Sequence, residues 1–109
     1  MARIAFILLA HKDPQGVIDQ AHRLTATGDF VAIHFDRRSP MPMFQQIRDA
    51  IGDHPRVTFA ARRIRCGWGE WSLVAATLEA LRAAEAAFPQ ATHFYMLSGD
   101  CMPIKSAEF

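Results

Sequence analysis

Apolar and polar positions alternate between two periods along this chain. Residues 4–10, Ile-Ala-Phe-Ile-Leu-Leu-Ala, are apolar without a break, the signature of a strand buried on both faces, as in a parallel sheet covered by helices. Asp13-Pro14 follows, a capping side chain and a residue suited to the first helical turn. Val17, Ile18, Ala21 and Leu24 then keep helical spacing until Gly28. Residues 30–35 form a second apolar strand closed by Asp36. Ser39-Pro40 repeats the cap-and-proline signal before Met43, Phe44, Ile47 and Ile51, an amphipathic stripe that Gly52 ends. Residues 57–60 read as a short third strand. After the turn Gly67-Trp68-Gly69, a long helix from Ser72 is expected to carry Val74, Leu78, Leu81 and Phe88 on its buried stripe, with Pro89 as terminator. Residues 93–97 make a fourth strand, which opens into Ser98-Gly99-Asp100-Cys101-Met102-Pro103.

The order βαβαβαβ, with connections long enough for crossover helices, predicts an α/β fold: a Rossmann-like parallel sheet with right-handed crossovers. No internal repeat or low-complexity stretch interrupts it. Ser106 looks like an N-cap with no helix left to cap, so the chain is expected to be cut short at its C-terminal end.

Composition narrows the function classes. Half of the 109 residues are hydrophobic and the formal net charge is +1, which fits one globular domain. Apart from Arg62, Arg63 and Arg65 the arginines are scattered, so neither nucleic acid nor an anionic lipid surface finds an electrostatic footprint in this chain. The apolar run at residues 4–10 is too short to span a bilayer and meets His11-Lys12-Asp13 rather than a cleavage site. Cys66 and Cys101 lack ligand spacing and read as small hydrophobes in a reducing, cytoplasmic setting.

In an open parallel sheet, ligands bind outside the carboxyl ends of the strands near the point where strand order reverses. That edge collects His11 and Lys12, then Asp36, Arg37 and Arg38, then Arg62 and Arg63, and finally Ser98, Gly99 and Asp100. Acids for ribose hydroxyls or a base edge, cations for phosphate and a glycine loop suit a nucleotide. The first strand-to-helix turn has no Gly-x-Gly-x-x-Gly, and neither a Walker loop nor a Gly-x-Ser-x-Gly elbow occurs. Asp100 stands without a second acid at Asp-x-Asp spacing, so no metal site is expected and Lys or Arg is the preferred partner for a diphosphate. Simpler readings stand beside these. Asp36 could be a solvated strand-end acid, Trp68 and Trp71 core anchors, His11 a strand-end filler, and the Arg62 to Arg65 cluster a solvated loop.

Four segments in order carry a resemblance: Ala5-Phe6-Ile7-Leu8-Leu9-Ala10-His11-Lys12-Asp13-Pro14, Ile33-His34-Phe35-Asp36, Gly67-Trp68-Gly69-Glu70-Trp71-Ser72-Leu73-Val74, and Tyr95-Met96-Leu97-Ser98-Gly99-Asp100-Cys101-Met102-Pro103-Ile104. In these the chain resembles the N-terminal part of the core-2/I-branching β-1,6-N-acetylglucosaminyltransferase and peptide O-xylosyltransferase family, glycosyltransferase family 14. The resemblance implies the nucleotide-binding half of a GT-A fold over residues 1–109. It also implies inverting transfer of a sugar of the GlcNAc or xylose class from a UDP-sugar to an acceptor hydroxyl, without a metal cofactor.

Carried over by position, the donor-binding residues are His11, Asp36, Trp68, Gly69, Ser98, Gly99 and Asp100, with Asp36 facing the uridine. No catalytic residue falls in this chain, because the family's glutamate base and its diphosphate-binding basic residues come later in the fold. The family reads Leu-Ser-Gly-x-Asp-x-Pro, whereas here the acid comes one place early, at Asp100, and Cys101 takes its usual position. The partners implied are a UDP-sugar, a glycan, protein or lipid acceptor, the rest of its own chain and, for the full-length protein, a peripheral membrane surface. No nucleic acid is among them. A non-catalytic Rossmann-like nucleotide-binding or interaction module is the alternative. A receiver-type module would want acids after the first strand, where this chain has Ala10-His11-Lys12.

Overall fold

The computed structural model describes residues 4–10, 13–37, 39–62 and 70–98. Its elements follow the expected order: β1 (Ile4–Ala10), α1 (Pro14–Ala26), β2 (Phe30–Phe35), α2 (Met41–Ile51), β3 (Val57–Phe59), α3 (Glu70–Ala87) and β4 (His93–Ser98). The strands form one sheet in the order β3-β2-β1-β4, with every neighbouring pair parallel.

Both faces of the sheet are covered, which is why β2 has all six of its residues buried. Strand alternation divides the side chains between two cores. Leu8 and Ala10 of β1 and Val31, Ile33 and Phe35 of β2 face α1 and α2, against Val17, Ile18, Ala21, Phe44, Ile47 and Ile51. Ala5, Ile7, Phe30 and Ala32 face the other way, against Ala80, Ala84 and Phe88 of α3.

The helix starts and stops have local causes. Asp13 caps α1 by accepting the Gly16 N–H at 3.1 Å and takes a left-handed backbone, φ 54, which Asp tolerates better than most residues. A Cβ on Gly16 would collide with that carboxylate. Gly28 leads out of the helix at φ 91, a conformation open chiefly to glycine. Helix α2 starts differently from expectation: Pro40, not Ser39, occupies the cap position and makes no side-chain cap bond. Its second proline, Pro42, falls in the first turn, where a missing N–H removes no helical bond.

The buried stripe of α3 also differs from expectation. Ala76, Ala80, Ala84 and Phe88 are buried, whereas Val74 and Leu78 are 42% and 46% exposed. Alanines at every fourth position let the helix backbone approach the sheet closely, and Val74 and Leu78 are displaced to its flank, while Leu81 packs against the core and Phe88 is buried as expected.

Candidate functional site

Strand order reverses at β1. The chain runs from β1 outward through β2 to β3, then crosses to the far side of β1 to place β4. A crevice at such a reversal, outside the carboxyl ends of the strands, is where open α/β sheets take ligands. The relevant residues here are Ala10 at the end of β1, Asp36 just past β2 and Ser98 at the end of β4.

Asp36 is fixed from two directions. Its backbone N–H donates to the Ala10 carbonyl at 2.8 Å, extending the β1–β2 ladder past Phe35, and its own carbonyl accepts from the Ser39 N–H at 3.0 Å. The residue is only 2% exposed. That rules out the reading of Asp36 as a solvated strand-end acid, because a carboxylate so withdrawn from water must be held by partners. It does have an interaction partner within the structure, and among the described residues no buried side-chain nitrogen or oxygen lacks a hydrogen bond.

On the opposite flank of β1, Ser98 is in register with Leu9, and His34 pairs with the same Leu9 from β2. Ser98, Leu9 and His34 therefore form one row across three strands, one step below Ala10. With strands about 4.8 Å apart, the ends of β2 and β4 stand roughly 10 Å from each other across β1. Beyond β2 and β3 respectively, Arg37 and Arg62 are exposed at this same edge and bring positive charge to it.

The family model for the Core-2/I-Branching enzyme matches residues 4–109. The chain belongs to the Core-2/I-branching enzyme family. Its members are glycosyltransferases, so a sugar donor and an acceptor are the substrates of the activity. The sheet is consistent with the N-terminal half of a GT-A glycosyltransferase. A search of curated proteins gives no match.

In this glycosyltransferase chain the structure brings Asp36 and the backbone of Ser98 to the same edge, on either side of β1. His11, Trp68, Gly69, Gly99 and Asp100 lie outside the described residues, as do Lys12, Arg38, Arg63, Arg65, both cysteines and Lys105. Among the described residues no three His, Cys, Asp or Glu side chains come together as a metal site would require, and no helix is long and apolar enough to cross a membrane.

The sequence reading gives His34 no donor-binding role, although it lies in the segment Ile33-His34-Phe35-Asp36. It is 1% exposed, on the α3 side of β2 with Ala32. A signal for it exists in the alternation of Phe-Val-Ala-Ile-His-Phe, where positions 32, 34 and 36 share a face once the strand is read as buried on both sides.

Proposed function

We propose that this chain supplies the donor-nucleotide site of an inverting glycosyltransferase that moves a sugar of the GlcNAc or xylose class from a UDP-sugar to an acceptor hydroxyl. The observation that carries the reading is the buried carboxylate of Asp36 beside the strand-order reversal. An ionised carboxylate only accepts hydrogen bonds. Uracil offers it N3–H, whereas cytosine has an acceptor at the same ring position, so Asp36 favours uridine over cytidine. Ribose hydroxyls can donate to the same group.

The rest of the edge has a part in this reading. Arg37, exposed just past β2, would add positive charge near the diphosphate, whose main basic partners come later in the fold. His11, Trp68, Gly69, Ser98, Gly99 and Asp100 complete the donor pocket, and no metal or other cofactor is required. The transfer step itself needs a general base that removes the acceptor proton as its oxygen attacks the anomeric carbon, opposite departing UDP. That base is assigned to no residue of this chain. A glycan, protein or lipid hydroxyl is the acceptor, and a cytoplasmic setting suits the spacing of the cysteines.

Thermal unfolding with nucleotides tests the reading. A ligand at 100 times its Kd stabilises the folded state by about 2.7 kcal/mol. UDP is expected to raise the midpoint well beyond CDP, ADP or NAD at equal concentration. Equal shifts for UDP and ADP would instead support a general nucleotide-binding module.

A further inference from the structure

The two margins of the described sheet are built differently. At one, β3 is three residues long, and Arg48 of α2 holds its guanidinium over the ring of Phe59, the last residue of that strand, 5.5 Å from the centroid. A short edge with a charge beside it resists pairing with another strand. Strand β4, at the other margin, has neither safeguard. It is six residues long, contains no Asp, Glu, Lys or Arg, and among the described residues pairs only with β1. Its α3-side residues Phe94 and Met96 are exposed, as are Val74 and Leu78 on the flank of α3.

The sequence of β4 makes it a complement to itself. Two copies of a strand related by a two-fold axis normal to the sheet pair antiparallel, and residues directly opposite each other lie on the same sheet face. Side chains alternate between faces, so the axis has to pass through a residue and not between two. An axis at Tyr95 sets Phe94 against the partner's Met96 and, by the same symmetry, Met96 against the partner's Phe94. Both exposed apolar residues are covered at once, and a thioether against an aromatic ring is a favourable contact. Tyr95 meets the partner's Tyr95 on the other face, where its ring already stacks on Phe6 with centroids 6.1 Å apart. An axis at Met96 would set Phe94 against the partner's Ser98. An axis at Phe94 would set Met96 against the partner's Thr92, which precedes the strand. In none of these registers do like charges meet along the strand, because β4 carries none.

We infer that the β4 margin is an interface between two copies of this chain: β4 pairs antiparallel with β4 of a second copy across a two-fold axis at Tyr95, joining two four-stranded sheets into one of eight strands. The partner strand runs the opposite way, so the two carboxyl edges, each with its own Asp36, point in opposite directions. Association therefore leaves both candidate sites open, and the inference does not depend on what Asp36 binds. It also closes the assembly at two copies, since the margins left over are the short, guarded β3 strands.

The test is disulfide mapping by mixing, in a Cys66→Ser, Cys101→Ser background. Directly opposite residues of an antiparallel pair have Cα atoms about 4.5–5.5 Å apart, within the span of a disulfide, whereas diagonal neighbours, about 7–8 Å apart, exceed it. Phe94→Cys and Met96→Cys replace exposed side chains, so the fold is not at stake. Mixed and oxidised, the two variants are expected to give a mixed disulfide dimer in several times the yield of either variant linked to itself. Sedimentation of the 109-residue parent is expected to show a dimer that grows with concentration and no larger species. Self-linking of either variant in preference to the mixed pair would overturn the register. A parent that stays monomeric at every concentration, as it would if some other strand covered β4, or that associates beyond the dimer, would overturn the interface.

Discussion

The ring of Phe88 lies over that of Phe30, with centroids 4.5 Å apart and an interplanar angle of 22°. This contact pins the C-terminal end of α3 to the amino end of β2, and the Ala76, Ala80 and Ala84 turns of the helix follow from it along the sheet. Truncating one ring removes the stack and leaves a cavity. Phe88→Ala is expected to destabilise the protein by about 3–5 kcal/mol, read from urea unfolding.

Small residues on α3 are expected to tolerate less change than large ones. Ala80→Leu forces volume into a fully buried position and should destabilise by about 1–3 kcal/mol. Leu78→Ser, on the exposed flank, should stay within about 0.5 kcal/mol of the parent. The same unfolding measurement compares both, and a reversed order would contradict the alanine stripe.

That stripe separates what is legible in the sequence from what is not. Strand positions are plain because an apolar run of six or seven residues between turn residues, unbroken at 4–10 and interrupted only by His34 at 30–35, is too short for a helix of ordinary length and too apolar for a loop. In α3, large apolar side chains at helical spacing suggest Val74 and Leu78 as the buried face. Helix-to-sheet distance decides otherwise, since close approach favours alanine, and that distance is a tertiary quantity. The start of α2 differs for a similar reason: Ser39 and Pro42 offer competing signals on either side of Pro40. At the site, the strand-end rule locates Asp36, but its burial depends on what packs around it. The burial of His34 is a tertiary property in the same way.

Asp13 combines a cap with a left-handed backbone, so its replacements are expected to separate by chemistry. Asp13→Asn keeps both properties and should be nearly neutral. Asp13→Ala loses the bond to the Gly16 N–H and adds backbone strain, and is expected to destabilise by about 1–2 kcal/mol. Thermal melts of the two variants side by side check this.

Strand β4 is at the margin of the described sheet, and its α3-side residues Phe94 and Met96 are 39% and 58% exposed. Thr77 reaches Met96 Sδ at 3.3 Å, which places Val74 and Leu78 of α3 near this apolar margin. A neutral, apolar edge strand invites pairing with other chains. The 109-residue protein is therefore expected to self-associate as its concentration rises, and Met96→Lys to reduce that association in sedimentation experiments. Sedimentation as a monomer at all concentrations would contradict this.

A crystal soaked with UDP examines the account most directly. The uracil ring is predicted beside the Asp36 carboxylate, with the diphosphate over the carboxyl ends of β1 and β4. A nucleotide bound elsewhere on the chain, with no contact to Asp36, would contradict it.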